Sequence, residues 1–172
     1  MYIGPMHSSK SSTMIEKYNQ YNAIGKKVLV INHSNDTRTD NFIETHDNKK
    51  IKSLKVKHLM NLHKLNIIDR YDVLIIDEAQ FFLDLKDFIL TIETTDKIVF
   101  AAGLDGDSNR EPFGQVLECI PLCDTVTKLH ALDMIDCDGS RAPFTKRIVN
   151  VTHNQIQIGA KEYYSSVNRK NY

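Results

Sequence analysis

Apolar positions in this chain come in short, unbroken runs, each giving way to small, polar or acidic residues. Met1-Tyr2-Ile3, Val28-Leu29-Val30-Ile31, Val73-Leu74-Ile75-Ile76 and Ile98-Val99-Phe100-Ala101-Ala102 are such runs, and Val126 to Leu132 supplies a fifth. Continuous rather than alternating hydrophobicity marks strands covered on both faces, so these segments predict the core of a mostly parallel sheet. Between the first two runs, Met14, Ile15, Tyr18 and Tyr21 recur at helical steps through Ser11 to Ile24, and Gly25 ends the stripe. A second helix is expected within Leu85 to Thr94, with Leu85, Phe88, Ile89 and Ile92 on one side. A third is expected to begin at Pro112, because proline suits a first helical turn. Strands alternating with helices predict an α/β sandwich.

After about Asp133 the pattern changes. A polar segment from Asp136 to Lys146 precedes Arg147 to Val151 and Gln155 to Ile158, which read as a hairpin closed by Thr152-His153-Asn154. That tail is too small for a core of its own and must lean on the rest. The expected division is therefore 1–132 and 133–172, with one main domain in 172 residues.

Composition narrows the classes. With 41% hydrophobic and 26% charged residues the profile is that of an ordinary globular protein. No stretch approaches the roughly 18 consecutive apolar residues of a membrane span. No basic region and apolar segment precede the first motif, so a cytosolic protein is expected. Lys plus Arg total 22 and Asp plus Glu total 22, which leaves no basic surplus for direct nucleic-acid binding. Lys49, Lys50, Lys52, Lys55 and Lys57 form either a solvated face or an anion-steering patch. Cys119, Cys123 and Cys137 are odd in number and widely spaced, as expected of reduced thiols without a disulfide framework.

Two segments carry chemistry. Gly4-Pro5-Met6-His7-Ser8-Ser9-Lys10-Ser11 lies between the first strand and first helix and matches the phosphate-loop pattern G-x-x-x-x-G-K-[ST] except at Ser9. In such a loop backbone N–H groups wrap phosphates, the lysine reaches their outer oxygens and the hydroxyl ligates magnesium. A glycine at the Ser9 position permits backbone angles and an approach that a side chain hinders. His7 is read either as a phosphate contact or as a surface residue without a special role. The second segment, Tyr71 to Glu78, is an apolar strand ending in Asp77-Glu78, which puts carboxylates at the sheet edge where ligands collect. Asp77 is expected to serve magnesium or orient Ser11, and Glu78 to act as base or water positioner. The bland alternative is a helix cap.

At Asp77-Glu78-Ala79-Gln80-Phe81-Phe82 the chain resembles the thymidine kinase family of the cellular and poxviral type, where the stretch reads D-E-G-Q-F-F. The resemblance extends to Gly4–Ser11, Asp36-Thr37-Arg38, Thr45-His46-Asp47, Leu104-Asp105-Gly106, Arg110 with Pro112-Phe113-Gly114, Thr145-Lys146-Arg147, and Gly159-Ala160 with Tyr163. It implies a phosphate-loop NTPase-like sheet flanked by helices and a small lasso-type domain. It also implies transfer of the ATP γ-phosphoryl group, with Mg2+, to the 5′-hydroxyl of thymidine or a related deoxynucleoside. By the same resemblance Glu78 is the general base, Lys10 and Arg38 balance charge, and Ser11 and Asp77 serve magnesium. The loop residues Gly4 to Ser11 hold phosphates, while Phe81, Phe113, Ile158, Gly159 and Tyr163 meet the nucleoside. A homotetramer or homodimer in the cytoplasm is implied too, the host cytoplasm if the source is viral, as the likeness to the poxviral branch suggests.

The chain departs from the family most materially at Ser9, at Ser108 where a pocket phenylalanine is expected, and in the tail. There the family pins two C-x-x-C pairs with zinc, whereas this chain has only Cys137 near the first pair and Asn168 and Asn171 at the second. One thiol and two amides make a poor tetrahedral thiolate site, so no structural zinc is expected. Asp133, Asp136 and Cys137 are the residues an alternative metal would have to use. Three functions stay open: an active deoxynucleoside kinase with altered preference, a non-catalytic relative used for binding or assembly, and another phosphate-loop activity such as a DNA-associated ATPase.

Overall fold

The computed structural model of the protein describes residues 1–36, 41–44, 50–149 and 163–172. In chain order its elements are β1 (Tyr2–Ile3), α1 (Lys10–Ala23), β2 (Val28–His33), β3 (Phe42–Glu44), β4 (Lys50–Lys52), β5 (Leu54–Val56), α2 (Met60–Lys64), β6 (Val73–Ile76), α3 (Leu85–Ile92), β7 (Ile98–Gly103), β8 (Thr127–Lys128), β9 (Ala131–Leu132), β10 (Arg141–Ala142), β11 (Phe144–Arg147) and β12 (Tyr164–Val167). The main sheet has the order β5-β2-β6-β7-β1-β8, and its neighbours run parallel. This is the α/β, mostly parallel arrangement with flanking helices that the apolar runs predict.

Strand β6 shows why those runs are continuous. All four of its side chains are fully buried, and they alternate between two cores. Leu74 and Ile76 pack with Leu29, Phe82, Leu85, Phe88 and Val116 on one face. Val73 and Ile75 join Met14, Ile15, Val30 and Ala102 on the other, beneath α1. A strand with helices on both faces has no polar side to offer, so its hydrophobic run breaks only where it leaves the sheet.

Two expectations need correction. Pro112 begins no helix: it forms an isolated antiparallel bridge with Gly106, and only a 3-10 segment, Leu117–Leu122, follows. Proline's fixed φ suits a turn as well as a first helical turn, and Gly114, at φ +59, holds the chain against Gln80, where a Cβ would lie 2.2 Å from the Gln80 carbonyl oxygen. The run Val126 to Leu132 is not one strand either. Thr127–Lys128 closes the main sheet beside β1, while Ala131–Leu132 turns away to pair with Arg141–Ala142.

Beyond β9 the chain builds two small antiparallel sheets, β9–β10 and β11–β12. Of the hairpin expected in the tail, Arg147 is the last residue of β11 and pairs with Tyr164 of β12; residues 150–162, including the second predicted strand, lie outside the described residues. The lysine cluster divides: Lys50, Lys52 and Lys57 are exposed, but the half-buried Lys55 ammonium donates to the Asp36 carbonyl.

Packing of this density makes a testable prediction. Phe88 is fully buried under β6 whereas Leu83 is 74% exposed. Phe88→Ala should lower the urea-unfolding free energy by about 3–5 kcal/mol, and Leu83→Ala should stay within about 0.5 kcal/mol of the parent. Comparable losses from both would contradict the assignment of the core.

Candidate functional site

The site forms where β1 and β6, which flank β7, end along the same edge of the sheet. After Ile3 the chain turns through Gly4, whose φ of +150 no L side chain readily adopts and whose Cβ would lie 2.5 Å from the Leu129 carbonyl oxygen. The turn then passes His7 at φ 61 and Ser9 at φ 62 before α1 begins at Lys10. Ser9 thus holds a left-handed conformation, the one for which glycine is the default residue. Its side chain is exposed and makes no capping hydrogen bond, while its carbonyl accepts from the Thr13 amide at 3.0 Å.

Inside the turn the buried Ser8 hydroxyl donates to the Pro5 carbonyl at 2.8 Å. The Lys10 ammonium folds back to donate to the Gly4 carbonyl (3.1 Å), the Pro5 carbonyl and the Ser8 Oγ (3.3 Å). The Met6 N–H does not point into free space. It donates to Thr145 Oγ1 of β11, 139 residues away, at 3.0 Å.

Across from the turn, β6 ends and Asp77 follows, 3% exposed. Its Oδ2 accepts from the Ser11 hydroxyl at 3.0 Å and its Oδ1 from the Glu78 amide at 3.0 Å. The expected Ser11–Asp77 pair is therefore assembled. Glu78 sits at φ 53, ψ 40, another left-handed non-glycine residue, and its Oε2 accepts from the Gln80 amide group. Gln80 is 1% exposed and spends its other end accepting from the Leu104 N–H at 3.0 Å. Residues in sparsely populated backbone regions persist only where their surroundings over-determine them; here Gln80 bridges the glutamate to the start of the 104–110 turn.

The aromatic pair splits by role. Phe82 is fully buried in the core, whereas the half-buried Phe81 meets Phe113 edge-on, centroids 5.7 Å apart. His33 packs edge-on against Phe82 at 4.7 Å, and its Nδ1 accepts from the Asn35 N–H. Burial pushes its pKa below the ordinary histidine value, so the ring is neutral at pH 7. Tyr163 is 37% exposed at the mouth of β12. Arg38, Ile158 and Gly159, together with Thr37 and Thr45-His46-Asp47, lie outside the described residues.

Ser108 leaves no ring at its position, and its main chain is instead held by the C-terminal residue. Tyr172 donates its hydroxyl to the Ser108 carbonyl at 2.8 Å, its ring lies 5.5 Å from that of Phe144, and the Arg110 guanidinium stands 3.9 Å above it. A cleft of about 170 Å3 opens beside this cluster, lined by Pro5, Asp105, Arg110, Lys128, Phe144 and Thr145 among others. An ion pair of 2.7 Å between Lys128 and Asp105 crosses it. The cleft reaches the turn at Pro5 but is not lined by Lys10, Asp77 or Glu78, so it is distinct from the Ser11–Asp77–Glu78 edge.

Sequence reasoning missed Gln80, Thr145 and Tyr172 as supports of this edge. The only available signal was that the first two stood inside motif stretches; the pairing partners are far away in the chain. Among the described residues no three histidines, cysteines or carboxylates stand together as a metal cluster.

The whole chain, residues 1–172, matches the sequence profile of the family described as thymidine kinase. It is 37% identical to the thymidine kinase of Myxoma virus (strain Uriarra) and 38% identical to those of Monkeypox virus and Vaccinia virus (strain Western Reserve). Each alignment runs over 172 residues, covering 100% of this chain and 94% of the relative.

Ser9 offers a direct check on the geometry. Glycine there should relieve about 1–2 kcal/mol of left-handed strain, against about 0.4–1 kcal/mol of added chain entropy in the unfolded state. Ser9→Gly is therefore expected to raise stability by up to about 1.6 kcal/mol in chemical denaturation. A lower midpoint would show that Ser9 is not held at positive φ.

Proposed function

The chain belongs to the thymidine kinase family, and on that premise we propose that it catalyses the ATP-dependent phosphorylation of a thymidine-like deoxynucleoside. The observation that carries the proposal is the convergence, at one sheet edge, of the Gly4–Ser11 turn with Asp77 and Glu78.

The residues fit the reactants. Ser11 Oγ and Asp77 Oδ2 are hard oxygen donors already 3.0 Å apart, the donor type magnesium prefers. Lys10 is held within the turn by carbonyl oxygens, so a cation lies ready where a phosphate oxygen would compete for it. Bound magnesium supplies charge neutralisation on the phosphate oxygens. Gly4, Pro5, Met6, His7, Ser8 and Ser9 form the cradle: Met6 fixes it to β11, and the left-handed residues at His7 and Ser9 curl the backbone as anion-binding nests do.

Phosphoryl transfer demands positioning and positive charge more than covalent chemistry. Glu78 takes the proton of the attacking 5′-hydroxyl, and Gln80 holds the carboxylate at that edge while it does so. Lys10 follows the charge as it moves, and Arg38 is assigned the same task by family position. Phe81 and Phe113 wall the nucleoside side, with Ile158, Gly159 and Tyr163 assigned to the base. In this reading 1–132 is the phosphate-loop NTPase-like domain and 133–172 a lasso-type domain over the nucleoside. The protein works in the cytoplasm as a homotetramer or homodimer. No helix among the described residues is long and apolar enough to cross a membrane.

A radiolabelled phosphate-transfer assay across thymidine, deoxyuridine and deoxycytidine tests the proposal. The parent should transfer phosphate only with magnesium present. Glu78→Gln should lower kcat by roughly 100- to 10,000-fold while calorimetric ATP affinity stays near that of the parent. If transfer survives in Glu78→Gln, the base is another group; if the parent neither transfers phosphate nor binds ATP, the kinase reading fails.

A further inference from the structure

The small sheets meet on one buried carboxylate. Asp133, 3% exposed, follows β9 and accepts four hydrogen bonds. Two come from its own turn, the N–H groups of Ile135 (3.1 Å) and Asp136 (2.7 Å). Two come from the segment after β12, the Asn168 N–H (2.7 Å) and the Asn171 side-chain amide (2.9 Å). The two asparagines are themselves tied, Asn171 N–H donating to Asn168 Oδ1 at 2.8 Å, and Asn168 Nδ2 reaches Ser140 Oγ at 3.0 Å. Burial works to raise the Asp133 pKa, but these hydrogen bonds outweigh it and hold the carboxyl below the usual aspartate range. The group is therefore a charged acceptor at neutral pH, and charge-assisted bonds are the stronger kind.

This knot connects to the site. The Asn171 carbonyl accepts from the Lys146 ammonium at 2.8 Å, and Lys146 neighbours Thr145 on β11. Thr145 Oγ1 in turn receives the Met6 N–H of the Gly4–Ser11 turn. Across β11–β12 the register Thr145↔Ser166 locks the same segment from the other side. Tyr172, one residue past Asn171, lands on Ser108.

We propose that Asp133 is a positioning residue, a metal-free fastener whose hydrogen bonds to Asn168 and Asn171 seat β11 so that Thr145 fixes Met6 in the phosphate turn. The idea rests on the reading of that turn as the phosphate cradle. Asp133 touches no reactant; it sets the height of the cradle through β12 and β11. A neutral asparagine in its place has only one oxygen to accept with and turns an amide N–H2 toward the remaining donors, so the knot loses bonds without losing volume.

The test uses the full chain. Amide hydrogen exchange, read by mass spectrometry on peptides covering 1–14, 131–142 and 163–172, should rise on the order of tenfold in Asp133→Asn. It should not change in the parent after prolonged treatment with a chelator. In the transfer assay Asp133→Asn should raise the KM for ATP several-fold with kcat within about twofold. Asp133→Asn combined with Thr145→Val should be no worse for ATP than Thr145→Val alone, because both break one path. If Asp133→Asn does not fold, Asn171→Ala, which removes a single side-chain donor, carries the same measurements. Unchanged exchange in the variant, faster exchange in the chelated parent, or additive losses in the double variant would each overturn the proposal. The exchange arm needs no catalysis, so a parent that transfers no phosphate would count against the kinase reading alone and leave the fastener judged by exchange.

Discussion

Strand β6, with both faces covered and no polar side chain of its own, is the constraint from which the rest of the molecule follows. Four consecutive fully buried residues fix β6 between β2 and β7, and a slip of one residue would draw Asp72 or Asp77 into the sheet in place of an apolar side chain. The first polar residues past such a strand necessarily emerge at the rim, and here they are Asp77 and Glu78. Strand β1, pinned between β7 and β8, brings its own exit, the Gly4–Ser11 turn, to the same rim. Reactive groups from separate stretches thus meet because two buried strands end together.

Much of this was legible in the sequence, and the reason is locality. Val73–Ile76 is a strand with the boundaries its hydrophobic run predicts, and the Gly4–Ser11 and Asp77–Glu78 stretches are contiguous motifs whose spacing carries their meaning. Where a run contained a change of direction, as at Leu129-His130 between β8 and β9, hydrophobicity alone could not reveal that the two halves serve different sheets. Pro112 reads as a helix start although proline suits a turn equally, and the deciding contact, Gly114 against the Gln80 carbonyl, is long-range. The supports of the site escaped for the same reason. Thr145 meets Met6 from 139 residues away, and Asp133 meets Asn171 from 38.

The tail shows how a change of chemistry can preserve a connection. Poor as metal ligands, the two asparagines make hydrogen bonds instead: Asn171 gives its side-chain amide and Asn168 its main-chain N–H to the buried carboxylate, while the Asn168 side chain joins Ser140 and Asn171. At Ser108, too, the contact that forms is of another kind: its carbonyl accepts from the Tyr172 hydroxyl. In each case the contacts come from distant parts of the chain, so the position taken alone misleads.

The outer strands of the main sheet are short. On one side lies β5, three residues long with Lys55 at its centre, and on the other β8, only two residues long. An open ladder of unpaired amides invites a second chain to add a strand, and brevity and lysine are the usual safeguards against it. Edges of this kind disfavour one copy continuing the sheet of another. Crowded to high concentration, the protein should resist fibrous growth along this sheet.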